Sequence, residues 1–470
     1  MKARLLPERK KHMSDVPFVS ALQNLKNEVA SRSYGWGKWL IKGMFAVLDQ
    51  GLISGSNFLL GILLARWIGA EQYGAYALAF AIFILVSIVY QSLVLEPMTV
   101  FGPSVYHSAP KQYLGILVRL QMVLGAVVFG AGALGGGYFY ARVSAQLGPA
   151  LIGATIAAPC VLLFWFARRA CYVELSPRRA LGGAMLYMPL LLGSIGILLR
   201  LKLLSPFFAF AAMGVSALLA SAQLLWRLNL KLGRDTRGSC LREVSRRHWN
   251  YGRWALAGAV FLWAPWNICY PLVTKFWGLS ETGSLRALLN LALPIAQAHS
   301  ALTLLFLPYT ARLGQQEGWQ AMKRQAIRIG GVYAAGAGVY WLFVCMFSGQ
   351  LVQFLYAGRY TQIIPLLPWV AVSSIIGGAL LGPTIVIRAM QSPAPVCWIY
   401  LCSSAVAAGV GTPAIWAWGM RGAVVALVLS SLAALVSGYL ILRGRVRTQQ
   451  SRGTFKEPVI AEPASLSSSS

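Results

Sequence analysis

Residues 63–80 read LLARWIGAEQYGAYALAF, in which a short polar turn separates two apolar runs. The run before the turn covers about 40–64, and the run after it covers about 75–100. A helix needs about 20 apolar residues to cross the hydrocarbon core of a bilayer. The stretch therefore predicts two membrane-spanning helices joined by a tight loop.

The composition of the whole chain agrees with this local pattern. Of the 470 residues, 57% are hydrophobic and 11% are charged, and the mean hydropathy is +0.62. Soluble globular proteins carry about 25% charged residues, and disordered proteins are poor in apolar ones. The composition excludes both classes and predicts a polytopic, all-α membrane protein.

Apolar runs of membrane-spanning length recur along the chain and predict about 12 transmembrane helices. A first lobe of six is expected over 40–228 and a second lobe of six over 253–442, separated by a basic loop at 229–252. The segment 1–39 is expected either to carry an amphipathic helix or to be a loosely ordered leader, and the polar tail 443–470 is expected to be disordered. The twelve spans are 40–64, 75–100, 114–140, 147–167, 180–199, 206–228, 253–275, 285–308, 329–355, 363–387, 395–417 and 421–442.

Basic residues are distributed unevenly between the two sides of this layout. The net charge is +28, with 41 Lys and Arg. If the N-terminus is cytoplasmic, 31 of them fall on the cytoplasmic side and eight, Arg286 included, fall outside. Cytoplasmic loops of membrane proteins carry this excess and attract anionic phospholipids. The pattern predicts a membrane protein with both termini cytoplasmic, and argues against nucleic acid as a partner.

The two halves of the chain share short sequence matches at similar offsets. At an offset of 209, Gly69 corresponds to Gly278 and Gly74 to Gly283, while Arg66 corresponds to Lys275. Six spans return the chain to the side on which it started, so such repeats are oriented in parallel. Transporters built from parallel repeats rock two lobes about a central site. The repeat thus favours a transporter.

The loop between the first two spans resembles that of a known family. Ala65, Arg66, Gly69, Tyr73 and Gly74 match the A-R-x-x-G…Y-G pattern of Wzx-type O-antigen and exopolysaccharide flippases, in the multidrug/oligosaccharidyl-lipid/polysaccharide exporter superfamily. The resemblance covers about 40–442. It implies two six-helix bundles in a V that move undecaprenyl-pyrophosphate-linked oligosaccharide between leaflets. It also implies polysaccharide assembly proteins as partners.

Three charged residues lie within or at the ends of spans of the first half. They are Asp49, Glu96 and Arg119. A charge inside a membrane is costly and commonly faces a cavity or an opposite charge. One interpretation is a charged vestibule in which Asp49 or Glu96 takes a proton or Na⁺. The other is an ion pair that fixes helix packing.

Polar side chains also recur at helical spacing and form stripes. Such a stripe can donate hydrogen bonds to sugar hydroxyls and pyrophosphate, or it can hold two helices together. Arg286 is the best basic candidate for pyrophosphate, and Trp263 and Trp266 either stack on sugar rings or anchor the helix at the interface. The substrate-path candidates are Gln50, Ser54 and Asn57 in span one, Asn267 and Tyr270 in span seven, and Arg286, Asn290 and Gln297 in span eight.

The sequence contains no G-x-x-x-x-G-K-[ST] loop, and its acids and histidines are dispersed. We therefore expect neither an enzyme nor a bound cofactor or metal, and an ion gradient would drive transport. A multidrug/cation antiporter of the same superfamily is the alternative. A polysaccharide polymerase or ligase is less favoured, because those enzymes carry a large external loop and all predicted external loops here are short.

Overall fold

The computed structural model describes residues 17–106, 109–142, 146–174, 176–229, 238–390 and 394–451. All secondary structure in these ranges is helical. The helices are α1 (Pro17–Trp67), α2 (Ala70–Tyr90), a π-helix (Gln91–Leu95), α3 (Glu96–Ser104), α4 (Pro110–Arg142), α5 (Leu147–Val173), α6 (Pro177–Arg200), α7 (Pro206–Leu228), α8 (Gly238–Asn267), α9 (Cys269–Asn290), α10 (Leu293–Met346), α11 (Ser348–Tyr356), a 3₁₀-helix (Thr361–Leu366), α12 (Leu367–Ala389), α13 (Ala394–Gly409), α14 (Gly411–Trp418) and α15 (Met420–Ser451).

The helices of the described residues are long and apolar enough for a multi-pass membrane protein. Eleven segments meet the length and hydropathy expected of a span, and one of them, Ala255–Asn290, covers 36 residues. The chain reverses inside this segment at Gly278, whose φ of 88° and ψ of 179° are not helical. Arg286 Nη1 consequently lies 3.4 Å from the hydroxyl of Tyr270, although 16 residues of straight helix would separate them by about 24 Å. Predicted spans seven and eight are thus two antiparallel helices.

The 54-residue helix α10 also contains a reversal of direction. The hydroxyls of Thr303 and Tyr333 lie 3.0 Å apart, and the ring of His299 contacts that of Tyr333 at 5.1 Å. Thirty residues of straight helix would place Thr303 and Tyr333 about 45 Å apart. The first part of α10 therefore completes span eight and the last part forms span nine. With both reversals counted, the described residues form twelve spans, and the all-helical fold class is confirmed.

The helices form two groups that follow the two halves of the chain. In the first group α1 packs on α6, and α5 packs on α4 and α7. In the second group α10 packs on α12, and α15 packs on α12, α13 and α14. Between the groups, α2 packs against α9 and the π-helix packs against α8. We call the groups the first and second lobes.

Hydropathy misplaces several ends of helices, because it does not register polar helix outside the membrane. In the loop expected at 229–252, the residues from Gly238 onward are helical. Val244 and His248 are buried on one face of this helix, and Glu243 pairs with Arg247 at 2.7 Å. Residues 230–237 lie outside the described residues, as do 452–470 of the expected disordered tail, while 443–451 extend α15. The backbone of α1 is helical from Pro17, but the side chains of 17–40 are outside the described set. The amphipathic surface helix stays a prediction.

Candidate substrate passage between the lobes

The two lobes touch at a pair of glycines that the repeat aligns with each other. A Cβ added to Gly74 would lie 1.7 Å from the carbonyl oxygen of Leu279, and one added to Gly283 would lie 2.2 Å from that of Ala70. Only glycine allows the two backbones to come this close. We call this the glycine end of the interface; the first turns of α2 and of the helix after Gly278 cross there.

Two arginines link the lobes at the same end, one from each lobe. Arg66, in the last turn of α1, donates to the carbonyl of Phe354 in α11 at 2.6 Å. Arg359 donates in the opposite direction, to the carbonyl of Ile68 at 2.9 Å. Each guanidinium thus satisfies a carbonyl of the other lobe, and the glycine end is closed.

Below the glycines, the polar stripes of spans one and eight meet. A Cβ on Gly61 would lie 2.5 Å from Asn290 Nδ2, so the amide of Asn290 packs directly on the backbone of α1. The same Nδ2 donates to the hydroxyl of Tyr73 at 2.9 Å, and Oδ1 of Asn290 is buried without a hydrogen-bond partner. The stripes therefore converge at a buried polar layer under the glycine end.

Away from this layer the stripe residues become accessible. Asn57 and Ser54 are partly exposed and Gln50 is exposed, with Gln50 donating to Ser54 over 3.4 Å. On span eight Gln297 is exposed as well, two turns beyond Asn290. The two stripes thus run from a closed layer towards exposed surface.

Arg286 lies inside the membrane span, which corrects its assignment to the external side. The helix resumes at Leu279, so Arg286 is about 10 Å along it. Its guanidinium carbon lies 4.8 Å from the ring centroid of Phe80 in the other lobe and 5.9 Å from that of Tyr270. No acid pairs with it among the described residues, and its Nε is buried without an acceptor.

The span-seven candidates divide between two environments. Tyr270 is buried, and its hydroxyl is the acceptor beside Arg286. Asn267 is partly exposed, and its Nδ2 donates to the carbonyl of Trp263 at 3.0 Å. Tyr270 therefore belongs with the arginine and Asn267 with the more open part of the interface.

Asp49 forms a buried ion pair whose partner the sequence did not indicate. Its two carboxylate oxygens accept from Arg168, at 3.1 Å from Nε and 2.6 Å from Nη2. The hydroxyl of Tyr172 donates to the same carboxylate at 2.7 Å. Arg168 lies inside α5 rather than in a loop. The pair joins α1 to α5 within the first lobe, as the packing interpretation expects.

Glu96 and Arg119 do not join this pair. Glu96 is exposed and lines a cavity of about 370 Å³ between α2 and α8, together with Gln91 and Trp263. Arg119 is partly buried within α4. Among the three charges, the structure therefore shows different surroundings for Asp49 and Glu96.

A histidine closes part of the opposite end of the interface. Pro97 has no N–H, which leaves the carbonyl of Leu93 without its helical donor. His248 of α8 supplies one: Nδ1 lies 3.0 Å from that carbonyl, and Nε2 lies 2.8 Å from the hydroxyl of Tyr113. A carbonyl only accepts, so Nδ1 carries the proton and Tyr113 donates to Nε2. Burial lowers the pKa of His248 below its ordinary value. We call this the histidine end.

Comparison with solved structures identifies the architecture. A multidrug resistance MATE family transporter of the MOP superfamily in an inward-facing conformation superimposes with a TM-score of 0.69 and 15% identity, over 86% of this chain and 96% of that one. The lipid II flippase MurJ, in an inward closed conformation, gives 0.66 at 7% identity, over 88% and 92%. The fold is that of the MATE transporters and MurJ. No family model and no curated protein matches the sequence.

An outward-facing MATE family transporter superimposes with a TM-score of 0.60 and 14% identity, over 87% of this chain and 95% of that one. If the glycine end is external, as the charge distribution predicts, the contacts of Gly74 and Gly283 close the lobes outside.

Several residues of the interface were not anticipated from the sequence. Tyr73 and Phe80 fall on the face of α2 that holds Gly74. Gly74 belongs to the family motif, and its position could have indicated that these two aromatic residues also face the other lobe. Pro97 signalled a free carbonyl but not its donor, His248. Arg168 gave no signal, because its partner is 119 residues away.

Proposed function

We propose that this protein is a flippase that moves an undecaprenyl-pyrophosphate-linked oligosaccharide across the bacterial inner membrane by ion-coupled alternating access. Both termini would be cytoplasmic, so the glycine end faces the periplasm. The product would enter polysaccharide or O-antigen assembly, with proteins of that assembly as partners and anionic phospholipids around the basic cytoplasmic surface.

The observation that carries this proposal is the environment of Arg286. An unpaired charge inside a membrane is expensive and usually serves a substrate or ion path. Here the cation lies between the lobes against Phe80 and Tyr270, without an acid among the described residues. Guanidinium groups bind phosphate with paired hydrogen bonds. A pyrophosphate is therefore the ligand that would compensate the charge during transport.

The stripes supply the remainder of the path. Gln50, Ser54 and Asn57 offer amides and hydroxyls along α1, and Gln297 offers an amide opposite them. Sugar hydroxyls need such donors and acceptors when they leave water. In this mechanism the head group enters from the cytoplasm, reaches Arg286 below the glycine end, and leaves when the lobes separate there. The lipid tail stays in the bilayer.

Glu96 is the better candidate for ion coupling. The carboxylate of Asp49 accepts three hydrogen bonds from Arg168 and Tyr172, and binding a proton or Na⁺ would compete with all of them. Glu96 is exposed in a cavity between the lobes, so an ion reaches it without breaking an ion pair of its own lobe. We therefore assign packing to Asp49 and coupling to Glu96.

A multidrug/cation antiporter is the second candidate, and the MATE architecture favours it. The same lobes would then carry an organic cation. Arg286 argues against this, since a cation at the polar layer would meet a fixed positive charge. Loss of surface polysaccharide in a deletion strain, without increased drug sensitivity, separates the two functions.

Reconstitution tests the proposal directly. Vesicles containing the protein receive labelled undecaprenyl-pyrophosphate-linked sugar, and transfer between leaflets is followed under proton and Na⁺ gradients. We expect transfer in wild type and a large loss in Arg286→Gln. Arg200→Gln, at the exposed end of α6, is the matched control and should transfer normally. No transfer in any gradient, or uptake of organic cations instead, would overturn the proposal.

A further inference from the structure

The cavity between α2 and α8 is a candidate site for the sugar part of the cargo. It has a volume of about 370 Å³, within the range of small-molecule pockets. Its walls come from different lobes, the π-helix and the turns beside it on one side and α8 on the other. A ligand there would touch both lobes at once, which is the position of a transported head group.

Two indoles form one wall. Trp263 and Trp266 are three residues apart on α8, so they lie on one face, a turn apart. Trp266 is 40% exposed, and Nε1 of Trp263 is buried without a hydrogen-bond partner. The exposed indole of Trp266 is a flat apolar surface, which fits the apolar face of a sugar ring.

The opposite wall provides polar groups. Gln91 begins the π-helix, and Glu96 follows its end, so the widened turn presents an amide and a carboxylate to one cavity. π-helical turns are frequent at functional sites. The carboxylate of Glu96 lies near Tyr251 and keeps acceptor positions for a ligand.

The charge around Glu96 distinguishes a sugar from an organic cation. Arg169 is close enough to Glu96 to interact with it electrostatically. Arg169 thus adds positive potential at the carboxylate without forming an ion pair with it among the described residues, and the amide groups of Gln91 and Asn267 add polarity without charge. This set matches neutral hydroxyl groups better than a cation.

We propose that this cavity binds a hexose or N-acetylhexosamine ring of the lipid-linked cargo, stacked on Trp266 and hydrogen-bonded by Gln91 and Glu96. The inference rests on the proposed function and assigns a second point of contact, separate from the pyrophosphate at Arg286. The two contacts together would let the protein distinguish a loaded carrier lipid from an empty one.

Binding of two probes by the full-length protein tests the proposal. The probes are undecaprenyl pyrophosphate and the same lipid carrying one N-acetylhexosamine. We expect Trp266→Ala to weaken binding of the sugar-bearing lipid by about two- to thirteenfold and to leave the bare lipid unchanged, since aromatic contacts contribute about 0.5–1.5 kcal/mol. Trp266→Phe should restore part of the loss. Trp226→Ala, at a residue of α7 that is 81% exposed and not in the cavity, is the control.

Three results would overturn the subsite. The first is an equal loss of affinity for both lipids in Trp266→Ala, and the second is no loss of affinity for the sugar-bearing lipid. The third is binding of tetraphenylphosphonium that depends on Glu96 and Trp266, while the sugar-bearing lipid does not bind. Because this assay measures binding, it is independent of leaflet transfer. A protein that binds the sugar selectively but transfers no lipid would retain the subsite and lose the proposed function.

Discussion

Replacing Gly74 by alanine should open the glycine end. The new Cβ would lie 1.7 Å from the carbonyl oxygen of Leu279 and 2.6 Å from its carbonyl carbon. A carbon–oxygen contact of about 3.3 Å is the ordinary limit, so α2 and α9 must separate by about 1.6 Å. Both clashing atoms belong to the backbone, and no side-chain rotation relieves them.

The cost of this clash falls on the closed arrangement of the lobes. Overpacking of this kind destabilises by about 1–3 kcal/mol, which corresponds to about 5- to 150-fold in an equilibrium between two conformations. Alanine is the better helix former by about 1 kcal/mol, so α2 itself is not weakened. The substitution should therefore shift the population towards lobes that are open at the glycine end.

Labelling of a buried reporter measures the shift. Ala77 is fully buried between Tyr73 and Phe80 on the interface side of α2, and Ala77→Cys in a cysteine-free background reports opening there. With Gly74→Ala we expect a membrane-impermeant maleimide to label it at least about five times faster. Gly193→Ala, where a Cβ meets nothing within 4 Å, should have no effect. An unchanged labelling rate in a folded Gly74→Ala protein would refute the close backbone contact.

Three further predictions concern buried charges and the histidine. Asp49→Ala should lower the free energy of unfolding by about 3–5 kcal/mol, because it leaves Arg168 buried without its partner. In thermal unfolding, the double variant Asp49→Ala with Arg168→Met should recover much of this loss, because it also removes the buried charge. Burial lowers the pKa of His248 in the folded protein, so below about pH 6.5 the unfolded chain binds a proton at this residue that the folded chain does not. The free energy of unfolding of the wild type should therefore decrease towards pH 5. In His248→Gln this pH dependence should be weaker. Arg286→Lys should retain less than half of the lipid transfer of wild type, since a lysine keeps the charge but not the paired donors; equal transfer would argue against bidentate pyrophosphate binding.

The fold was largely predictable because a bilayer demands long apolar helices. Hydropathy and the distribution of basic residues led to twelve spans and two lobes. The ends of helices were not predictable in this way: α8 begins at Gly238 on the strength of one buried face and an ion pair, which an apolar count does not detect. The same limit placed Arg286 outside, although its helix begins seven residues earlier.

The candidate site was predictable in part, for a different reason. Helical spacing grouped Asn290 with Arg286, and Asn290 reaches Gly61 on the stripe of span one. Helical spacing does not show what a polar stripe faces, because polar residues occur both in contacts between transmembrane helices and along passages. Pairings across many residues, such as Asp49 with Arg168 or Leu93 with His248, depend on the folded chain.

Reversible locking of the glycine end tests whether transport requires the lobes to separate there. Arg66 contacts Phe354 across the interface at that end. Cysteines at these two positions, in an active cysteine-free background, can be joined by a short thiol-cleavable reagent and assayed for leaflet transfer of lipid-linked oligosaccharide. The account predicts that the cross-linked protein transfers no lipid and that reduction restores transfer. Transfer at the uncross-linked rate while the bridge is intact would contradict it.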